Sequence, residues 1–369
     1  MNLNTGGWAS RAALSIVTRL FSTGTNATRP VVAVLPPEDR ETILRTNLDV
    51  ALVAKGFGAT IAQVPDETTT GGNLRGQRST DFQKNRGTAA QVASGTTSGI
   101  LAGVSNQASG VSSVVVGGDS NTASSTYSFV GGGQSNTAQT NTHAAVCGGS
   151  GNTASGQYSF VGGGIGNIAS GLRSIVVAGD TNAASGSNSC IVGGIDNIAN
   201  ASQSFVAGGR RGTVRSIVGN HIFPACSIPI ANAQGATQSA LLLLGRQTTD
   251  ATATVLCSDS SAASTTNQVI LPNNAAYSFS GEVIAGVTAA GNTARWTING
   301  AIKRGANAAS TAMVGTPTVT MTHNDAGAAA WAVAVTADTT NGGIKVEVTG
   351  ALATTIRWVA KIETTEMTY

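Results

Sequence analysis

The chain has 369 residues, of which 47 are glycine, while only 11% are charged and 4% are aromatic. So little charge and aromatic volume argues against a compact enzyme with one large core and favours a repetitive, mainly β protein. The net charge is +3 and no basic tract occurs, so nucleic acid is not an expected partner. Because no run of eighteen apolar residues exists, we expect no membrane insertion.

The first 70 residues predict a small α/β unit. Apolar residues at helical spacing predict an amphipathic helix over Trp8–Phe21, and a helix lying on a membrane surface is the alternative interpretation. A strand at Pro30–Leu35 precedes a helix at Pro37–Lys55, and Ala59–Val64 predicts a second strand. Since this unit differs in class from the rest of the chain, we expect residues 1–70 to dock the protein to a larger particle.

A fifteen-residue unit recurs eight times between Ser98 and about Arg215, after a polar connector at residues 71–97. It reads Ser-x-Val-x-Gly-Gly-x-x-Asn-x-Ala-Ser-Gly-x-x, and one extra residue within Gln139–His143 is its only change of length. A period this short does not fit pairs of helices but fits one coil of a β-solenoid. The sequence therefore predicts a solenoid shaft over residues 98–220, rising about 4.8 Å per coil.

Three positions of the unit explain why it coils. The third is always Val or Ile and predicts the core, and the ninth is Asn in the first seven copies, where stacked amides can form a ladder. The sixth is always Gly, which predicts a positive φ at a corner, and Ser170-Gly171 marks a second corner. The sixth-position glycines are Gly103, Gly118, Gly133, Gly149, Gly164, Gly179, Gly194 and Gly209.

The second position of the unit forms an apolar stripe on the face opposite the core, because neighbouring strand residues point to opposite sides. A soluble monomer rarely exposes such a band. We therefore predict an oligomer that buries it along a symmetry axis; the alternative is that a neighbouring segment of the same chain covers it. The predicted interface residues are Val114, Phe129, Phe160, Ile175 and Phe205.

Beyond the repeats, Pro224 and Pro229 mark a boundary, and residues 221–239 are predicted to be a linker. Short alternating strands then predict a β-sandwich of jelly-roll type over residues 240–369. Asn299-Gly300 predicts a tight hairpin, and His323–Gly327 and Thr339–Gly343 predict further hairpin loops.

Loops at the ends of a sandwich are where binding functions usually lie, so polar loop tips are the candidate receptor-binding residues. They are Asn273, Asn274, Asn299, Lys303, Arg304, Asn324, Asp325 and Asn341. Three tryptophans, Trp296, Trp331 and Trp358, are predicted to pack in the core, with sugar stacking as the alternative.

The residues that catalysis or metal binding requires do not form a recognisable pattern. The three histidines are isolated, no nucleophile motif occurs and no Cys-x-x-Cys pair exists, so we predict no enzyme activity, no metal and no cofactor. A catalytic carboxylate pair across a chain interface remains an open alternative. Cys147 and Cys190 are interpreted as small core residues, and a disulfide between Cys226 and Cys257 is left open.

Several segments resemble a known family. Tyr158–Gly164 and Asn152–Gly156 resemble the head repeats of trimeric autotransporter adhesins, and still more the same repeats in bacteriophage tail fibres of cyanophage type. Gly71–Gln83 resembles the lead-in segment of such fibres, and Val348–Gly350 and Thr355–Glu366 resemble their ends. The resemblance covers roughly residues 71–369. It implies a left-handed parallel β-roll of three chains and attachment to a cell surface.

The combined prediction is a homotrimeric tail fibre in a virion tail, folded in the host cytoplasm. Residues 1–70 would bind other tail or baseplate proteins, and residues 240–369 would bind a host surface glycan. The alternatives are a bacterial trimeric surface adhesin and a tailspike with polysaccharide depolymerase activity. The N-terminus lacks a basic start followed by an apolar core, which favours the viral hypothesis over an exported adhesin.

Overall fold

The computed structural model describes residues 60–369, apart from Ala62, Val64, Ala231 and Ala290. The predicted elements at Trp8–Phe21, Pro30–Leu35 and Pro37–Lys55 lie outside the described residues, as does most of the predicted docking unit. Within the described part the protein is mainly β, as predicted, and it begins with a solenoid of about ten coils.

Eighteen short strands build the solenoid. They are β1 (Thr60–Ile61), β2 (Thr80–Asp81), β3 (Gly99–Ile100), β4 (Gln107–Ala108), β5 (Val114–Val115), β6 (Thr122–Ala123), β7 (Phe129–Val130), β8 (Thr137–Ala138), β9 (Ala145–Val146), β10 (Thr153–Ala154), β11 (Phe160–Val161), β12 (Ile168–Ala169), β13 (Ile175–Val176), β14 (Ala183–Ala184), β15 (Cys190–Ile191), β16 (Ile198–Ala199), β17 (Phe205–Val206) and β18 (His221–Pro224).

Each coil has three sides, because three parallel ladders run along the shaft. The first ladder joins β1, β2, β3, the odd-numbered strands to β17, and β18; the second joins the even-numbered strands from β4 to β16. The third consists of single bridges at the seventh position of the unit, such as Ile165 with Asp180. Successive coils stack in register, so that Phe160 pairs with Ile175 and Val161 with Val176.

The coils begin earlier than the repeats do. Thr60 pairs with Thr80, and Thr80 with Gly99, so these rungs lie twenty and nineteen residues apart along the chain. The stretch predicted as a connector at residues 71–97 is therefore wound into the same ladder. Its coils are longer than fifteen residues, which is why the period of the repeat did not reveal them.

The interior of the shaft is narrow and closed to solvent by the backbone of the coils. The third-position residue of every unit, such as Val161, and the eleventh-position Ala in the first seven, such as Ala169, are 0% exposed. The predicted core of the repeat is confirmed. The seven ninth-position asparagines are equally buried, so their amides must find partners inside the coil.

The predicted asparagine ladder is confirmed, although it bonds mainly to backbone. Asn167 Nδ2 donates to the carbonyl oxygens of Gly163 at 2.9 Å and Gly179 at 2.8 Å. Its Oδ1 accepts from the backbone N–H of Asn182 at 3.0 Å. Each asparagine thus links its own corner to the next coil, and the bond pattern repeats from Asn106 to Asn197.

A glutamine amide closes each end of this ladder. Gln83 Oε1 accepts from the Asn106 N–H at 2.9 Å, while its Nε2 donates to the Asn106 carbonyl at 2.7 Å. Gln238 makes the same pair of bonds, at 3.0 Å each, with the N–H and carbonyl of Thr213. Gln83 Oε1 thus takes the place of the asparagine oxygen of a preceding coil, and Gln238 Oε1 takes the place of a carbonyl oxygen of a following coil.

Both predicted corners are present in the coil, the first with bends at Gly163 and Gly164 and the second with a bend at Gly171 and a turn at Leu172–Arg173. All eight sixth-position glycines have positive φ, from 75° to 108°, which confirms that prediction. Gly171, at the predicted second corner, does not; it is required because a Cβ there would lie 2.2 Å from the Gly186 carbonyl oxygen. Most other left-handed residues of the repeats occupy the eighth and fifteenth positions, for example Thr181 at 57° and Tyr158 at 58°.

Ten further strands form the C-terminal sandwich. They are β19 (Thr237–Thr248), β20 (Thr254–Val255), β21 (Val269–Ile270), β22 (Ala275–Val287), β23 (Thr293–Arg304), β24 (Ala312–Met313), β25 (Thr318–Asn324), β26 (Ala332–Asp338), β27 (Gly343–Thr349) and β28 (Ile356–Thr368), with 3-10 turns at Ala308–Ser310 and Ala326–Ala328.

The two sheets of the sandwich differ in size and in their relation to the shaft. The large sheet has the order β19–β28–β22–β23–β25, all antiparallel, and β19 pairs with β18. Because β18 also pairs with β17, the large sheet continues the first ladder of the shaft without a break. The small sheet centres on β27, with β26 on one side and β20 and β21 on the other.

The three tryptophans lie in the core between these sheets, which confirms the packing prediction over sugar stacking. Their exposed fractions are 3% for Trp296, 3% for Trp331 and 1% for Trp358. The Trp358 ring centroid lies 5.6 Å from that of Trp296 and 5.9 Å from that of Trp331. Trp358 Nε1 donates to Thr248 Oγ1 at 2.9 Å, so the indole is also satisfied as a donor.

Two of the three predicted hairpins are wrong. Asn299-Gly300 lies in the middle of β23, where Asn299 pairs with both Ser280 and Thr318. Gly300 makes room for an aromatic ring, since a Cβ there would lie 2.7 Å from Phe279 Cζ. His323–Gly327 leads from the large sheet to the small one. Only the third, Thr339–Gly343, is a hairpin, between β26 and β27.

The cysteines do not occupy the predicted environments. Cys147 is exposed and Cys190 half-buried, because they hold the fourth and second positions of their coils, outside the core. The interpretation of both as core residues is wrong. Cys226 is exposed and Cys257 buried, and all four thiols are free, so no disulfide joins Cys226 to Cys257. Burial raises the pKa of the Cys190 thiol.

Candidate binding surfaces

The outer face of the first ladder carries two apolar columns, where the sequence had suggested one. The second-position column contains the predicted interface residues Val114, Phe129, Phe160, Ile175 and Phe205, all on the outer face and all half-buried or exposed. The fourth position, two residues on, points the same way and was missed. Its column is Leu101, Val116, Gly131, Cys147, Gly162, Val177, Val192 and Ala207.

Side-chain sizes in the two columns compensate for each other within a coil. Phe129 and Phe160 are each followed by Gly in the fourth position, whereas Gly99 is followed by Leu101. A Cβ on Gly162 would lie 2.3 Å from the Val177 carbonyl oxygen of the next coil and 3.4 Å from Phe160 Cε1, so backbone packing requires this glycine and the Phe160 ring lies beside it. A face exposed to solvent would not need the combined volume of these two side chains to stay similar from coil to coil. This pattern is typical of a face that packs against a partner at constant distance.

The apolar face continues into the sandwich. Phe223 on β18 is 48% exposed, and Leu241 pairs with His221 in the same row of outward residues. Leu243, Ile284 and Val359 follow on the outer face of the large sheet, 56%, 45% and 47% exposed. The apolar surface of the shaft therefore runs on across the first strands of the C-terminal domain.

Five of the eight predicted receptor-binding residues meet at one end of the sandwich. Asn273 and Asn274 precede β22, and Lys303 and Arg304 end the neighbouring β23, where Ala275 pairs with Arg304. Asn341 joins this end because Arg304 Nη1 reaches the carbonyl oxygen of its neighbour Gly342 at 3.4 Å. Asn273, Asn274 and Lys303 are exposed.

Arg304 and Asn341 are bound within the protein. Arg304 Nη1 donates to the Leu271 carbonyl at 2.6 Å, and Asn341 Nδ2 donates to Asp338 Oδ2 at 2.8 Å. Burial alone would raise the pKa of Asp338, but hydrogen bonds from Asn341 and Thr340 outweigh it and hold the pKa below its ordinary value. These contacts shape the loop, so we assign Arg304 and Asn341 a structural part in the site.

The remaining predicted residues lie elsewhere. Asn324 pairs with Ala294 at the opposite end of the large sheet. Its neighbour Asp325 accepts from the backbone N–H of Thr293 at 2.8 Å and fixes the start of β23. Asn299 lies on the outer sheet face, in a row with Ser280 and Thr318. The structure therefore separates the eight residues into three places.

Asn299 belongs to a polar surface on the outer face of the large sheet, which was not predicted from the sequence. Beside the apolar residues of the large sheet, the outer face of β22, β23 and β25 bears hydroxyls, amides and charges. The hydroxyls include those of Ser278, Thr297 and Thr320. Arg295 pairs with Glu282 at 2.6 Å on the same face. Near the shaft a shallow hollow of about 370 Å³ lies on this face. It is lined by Phe223, Leu241, Ser278, Ser280, Glu363 and Thr365.

Metal sites and membrane spans each require particular side chains or elements, and both concern only the described residues here. No group of His, Cys, Asp and Glu side chains there is arranged to hold a metal ion. In the same part of the chain, no helix has the length and apolar character that crossing a membrane requires.

Comparison with known proteins gives little sequence similarity. No protein-family model matches the chain, and no curated protein matches it. Among solved structures, the chain is similar to the tailspike protein of the Acinetobacter phage vB_ApiP_P1, with 8% sequence identity and a TM-score of 0.18. That match covers 85% of this chain and 80% of the tailspike chain.

Proposed function

We propose that the protein is a subunit of a homotrimeric bacteriophage tail fibre that attaches the virion to the host surface. The observation that carries this proposal is the apolar double column, which runs the length of the repeat shaft and continues into a terminal sandwich. A rod with one apolar face is suited to bundle with copies of itself, and the resemblance of the repeats to phage fibres and adhesin heads supports three chains.

The C-terminal sandwich is the proposed receptor-binding part. It follows the shaft in the chain, and it carries exposed amide and basic side chains at Asn273, Asn299 and Lys303. Such groups suit the hydroxyls of a host surface glycan. Three identical sites in one trimer gain avidity, so each of them needs only weak affinity.

Removing Asn299 and Lys303 together tests this assignment. We expect Asn299→Ala with Lys303→Ala to lower adsorption of the full-length protein to host cells by about tenfold or more, because exposed hydrogen-bonding and charged contacts to the glycan are lost. Sedimentation should show an unchanged trimer. Lys345→Ala, on the outer side of the small sheet, is the matched control and should adsorb normally. Unchanged adsorption by the double variant would remove these residues from the receptor site.

The docking part assigned to residues 1–70 is tested by truncation. A chain beginning at Thr60 keeps the described ladder and should still form trimers. It should fail to join the particle, because residues 1–59, which hold most of the predicted α/β unit, are removed. Particles reconstituted with either full-length or truncated protein, then examined for fibre content by electron microscopy, give the answer. Retention of the truncated fibre would place docking within residues 60–369.

A further inference from the structure

A row of aromatic and basic side chains crosses one corner of the shaft. Tyr127, His143, Tyr158 and Arg173 hold the fifteenth position of successive coils. The His143 ring centroid lies 4.9 Å from that of Tyr127 and 4.8 Å from that of Tyr158, and Arg173 Cζ lies 6.0 Å from the Tyr158 centroid. Tyr127 is 55% exposed and Tyr158 48% exposed. We call these four residues the corner ladder.

The backbone of the corner ladder does not favour the side chains it carries. Their φ values are positive, 59° at Tyr127, 64° at His143, 58° at Tyr158 and 54° at Arg173. Glycine adopts this region without strain, whereas a bulky residue there is uncommon. The eighth position, which is also left-handed, does use glycine at Gly151 and Gly166. The fifteenth position keeps large side chains at a steric cost, which points to a use for them.

The single irregularity of the repeat falls at the same corner. The extra residue of the third coil lies within Gln139–His143, directly before a ladder residue. It places the exposed Asn141 over the next coil, where Asn141 Nδ2 donates to the Ser155 carbonyl at 2.8 Å. The exposed Gln157 stands beside Tyr158. Amide groups thus flank the ring edges of the corner ladder.

The corner ladder also borders the apolar face. Tyr158 precedes Phe160 of the apolar columns by two residues, and the buried Ser159 lies between them. If copies of the chain pack through the columns, this corner lines the groove between neighbouring chains. A groove parallel to the shaft, with equivalent side chains about 4.8 Å apart, suits an extended polymer more than a compact ligand.

We propose that the corner ladder is a second binding site, which takes an acidic polysaccharide chain running along the shaft. The Tyr hydroxyls, the His143 ring nitrogens and the flanking amides hydrogen-bond to sugar hydroxyls, and the ring edges contact the sugar rings. Arg173 pairs with an acidic group of the polymer, and the corner ladder contains no carboxylate to compete with it. This proposal rests on the proposed attachment function and adds a ligand contact to the shaft.

Glycine substitutions separate binding from folding. Full-length Tyr127→Gly with Tyr158→Gly removes both phenol rings and relaxes the positive φ, so the trimer should remain folded. Its matched control is Ser112→Gly with Asn188→Gly, which changes the same coil position, at φ of 55° and 56°, outside the aromatic rows. A third variant, Arg173→Gln, removes the charge alone.

The probes are immobilised alginate, which carries carboxylates, and neutral dextran, with binding measured by surface plasmon resonance. We expect the parent trimer to prefer alginate, the tyrosine double variant to bind it about tenfold less, and the glycine control to bind like the parent. Arg173→Gln should lose the preference for alginate over dextran. Equal binding by the parent and the tyrosine variant, or no binding of the parent to alginate, would overturn the proposal. Normal adsorption of the parent to host cells alongside such a result would leave the proposed attachment function intact.

Discussion

The substitution Phe160→Asp is expected to abolish the trimer. Phe160 is half-buried in the single chain, and its ring fills the space above Gly162 in the apolar columns. In the proposed trimer, the change would bury an unpaired carboxylate in every chain at the same level of the axis. Burial of one ionised group without a partner costs several kcal/mol or more, so dissociation or unfolding should follow.

Analytical ultracentrifugation of the full-length protein measures this effect. Two control substitutions are measured in the same way. Phe160→Leu keeps an apolar side chain and should remain trimeric, while Ser150→Asp introduces the same charge on another side of the shaft and should also remain trimeric. A trimeric Phe160→Asp protein, or a parent protein that sediments as a monomer, would contradict the proposed interface.

Replacement of Gly164 by alanine should produce a large loss of stability in the shaft. Gly164 has a φ of 92°, and a Cβ there would lie 2.1 Å from the carbonyl oxygen of Gly179 in the next coil. It would also lie 2.7 Å from Asn167 Nδ2, within the asparagine ladder. Backbone strain alone costs at least about 1 kcal/mol, and separation of the two coils adds to that.

Gly163 provides the matched control, because it is adjacent in sequence but differs in surroundings. A Cβ on Gly163 would have the Gly148 carbonyl oxygen as its nearest neighbour, at 4.0 Å. We expect Gly163→Ala to unfold at close to the parent temperature and Gly164→Ala to unfold several degrees lower, as followed by circular dichroism. Equal transition temperatures would show that the corner tolerates a side chain and would remove the explanation given for the invariant sixth position.

The shaft was predictable from sequence because its determinants repeat. A core valine, a corner glycine and a buried asparagine recur at fixed places, and each repetition reinforces the assignment. The left-handed fifteenth position was missed, since residues such as Tyr158 and Arg173 carry no local signal for positive φ. The fourth-position column was also missed, because its glycines hide an apolar pattern that becomes visible only beside the second-position phenylalanines.

The sandwich was predicted as a class but not in its details. Asn299-Gly300 resembles a tight turn. Glycine is required at position 300, however, because the ring of Phe279 on the neighbouring strand β22 occupies the space of a side chain. Likewise, Arg304 looks like an exposed loop residue, but it bonds to the Leu271 carbonyl, 33 positions away in the chain. Partners so distant in sequence decide which polar residues are free to bind a receptor, and a single sequence does not show them.

The way the coil stack ends has a consequence for how copies of the chain can associate. A parallel β-ladder left open at its edge is a template on which identical molecules add end to end, as in amyloid growth. Here Gln83 and Gln238 use up the hydrogen-bonding groups at the two limits of the asparagine ladder, and β19 reverses the strand direction after β18. An incoming copy finds no matching edge beyond β18. The C-terminal end of the shaft is thereby closed to growth by the addition of further copies of the chain.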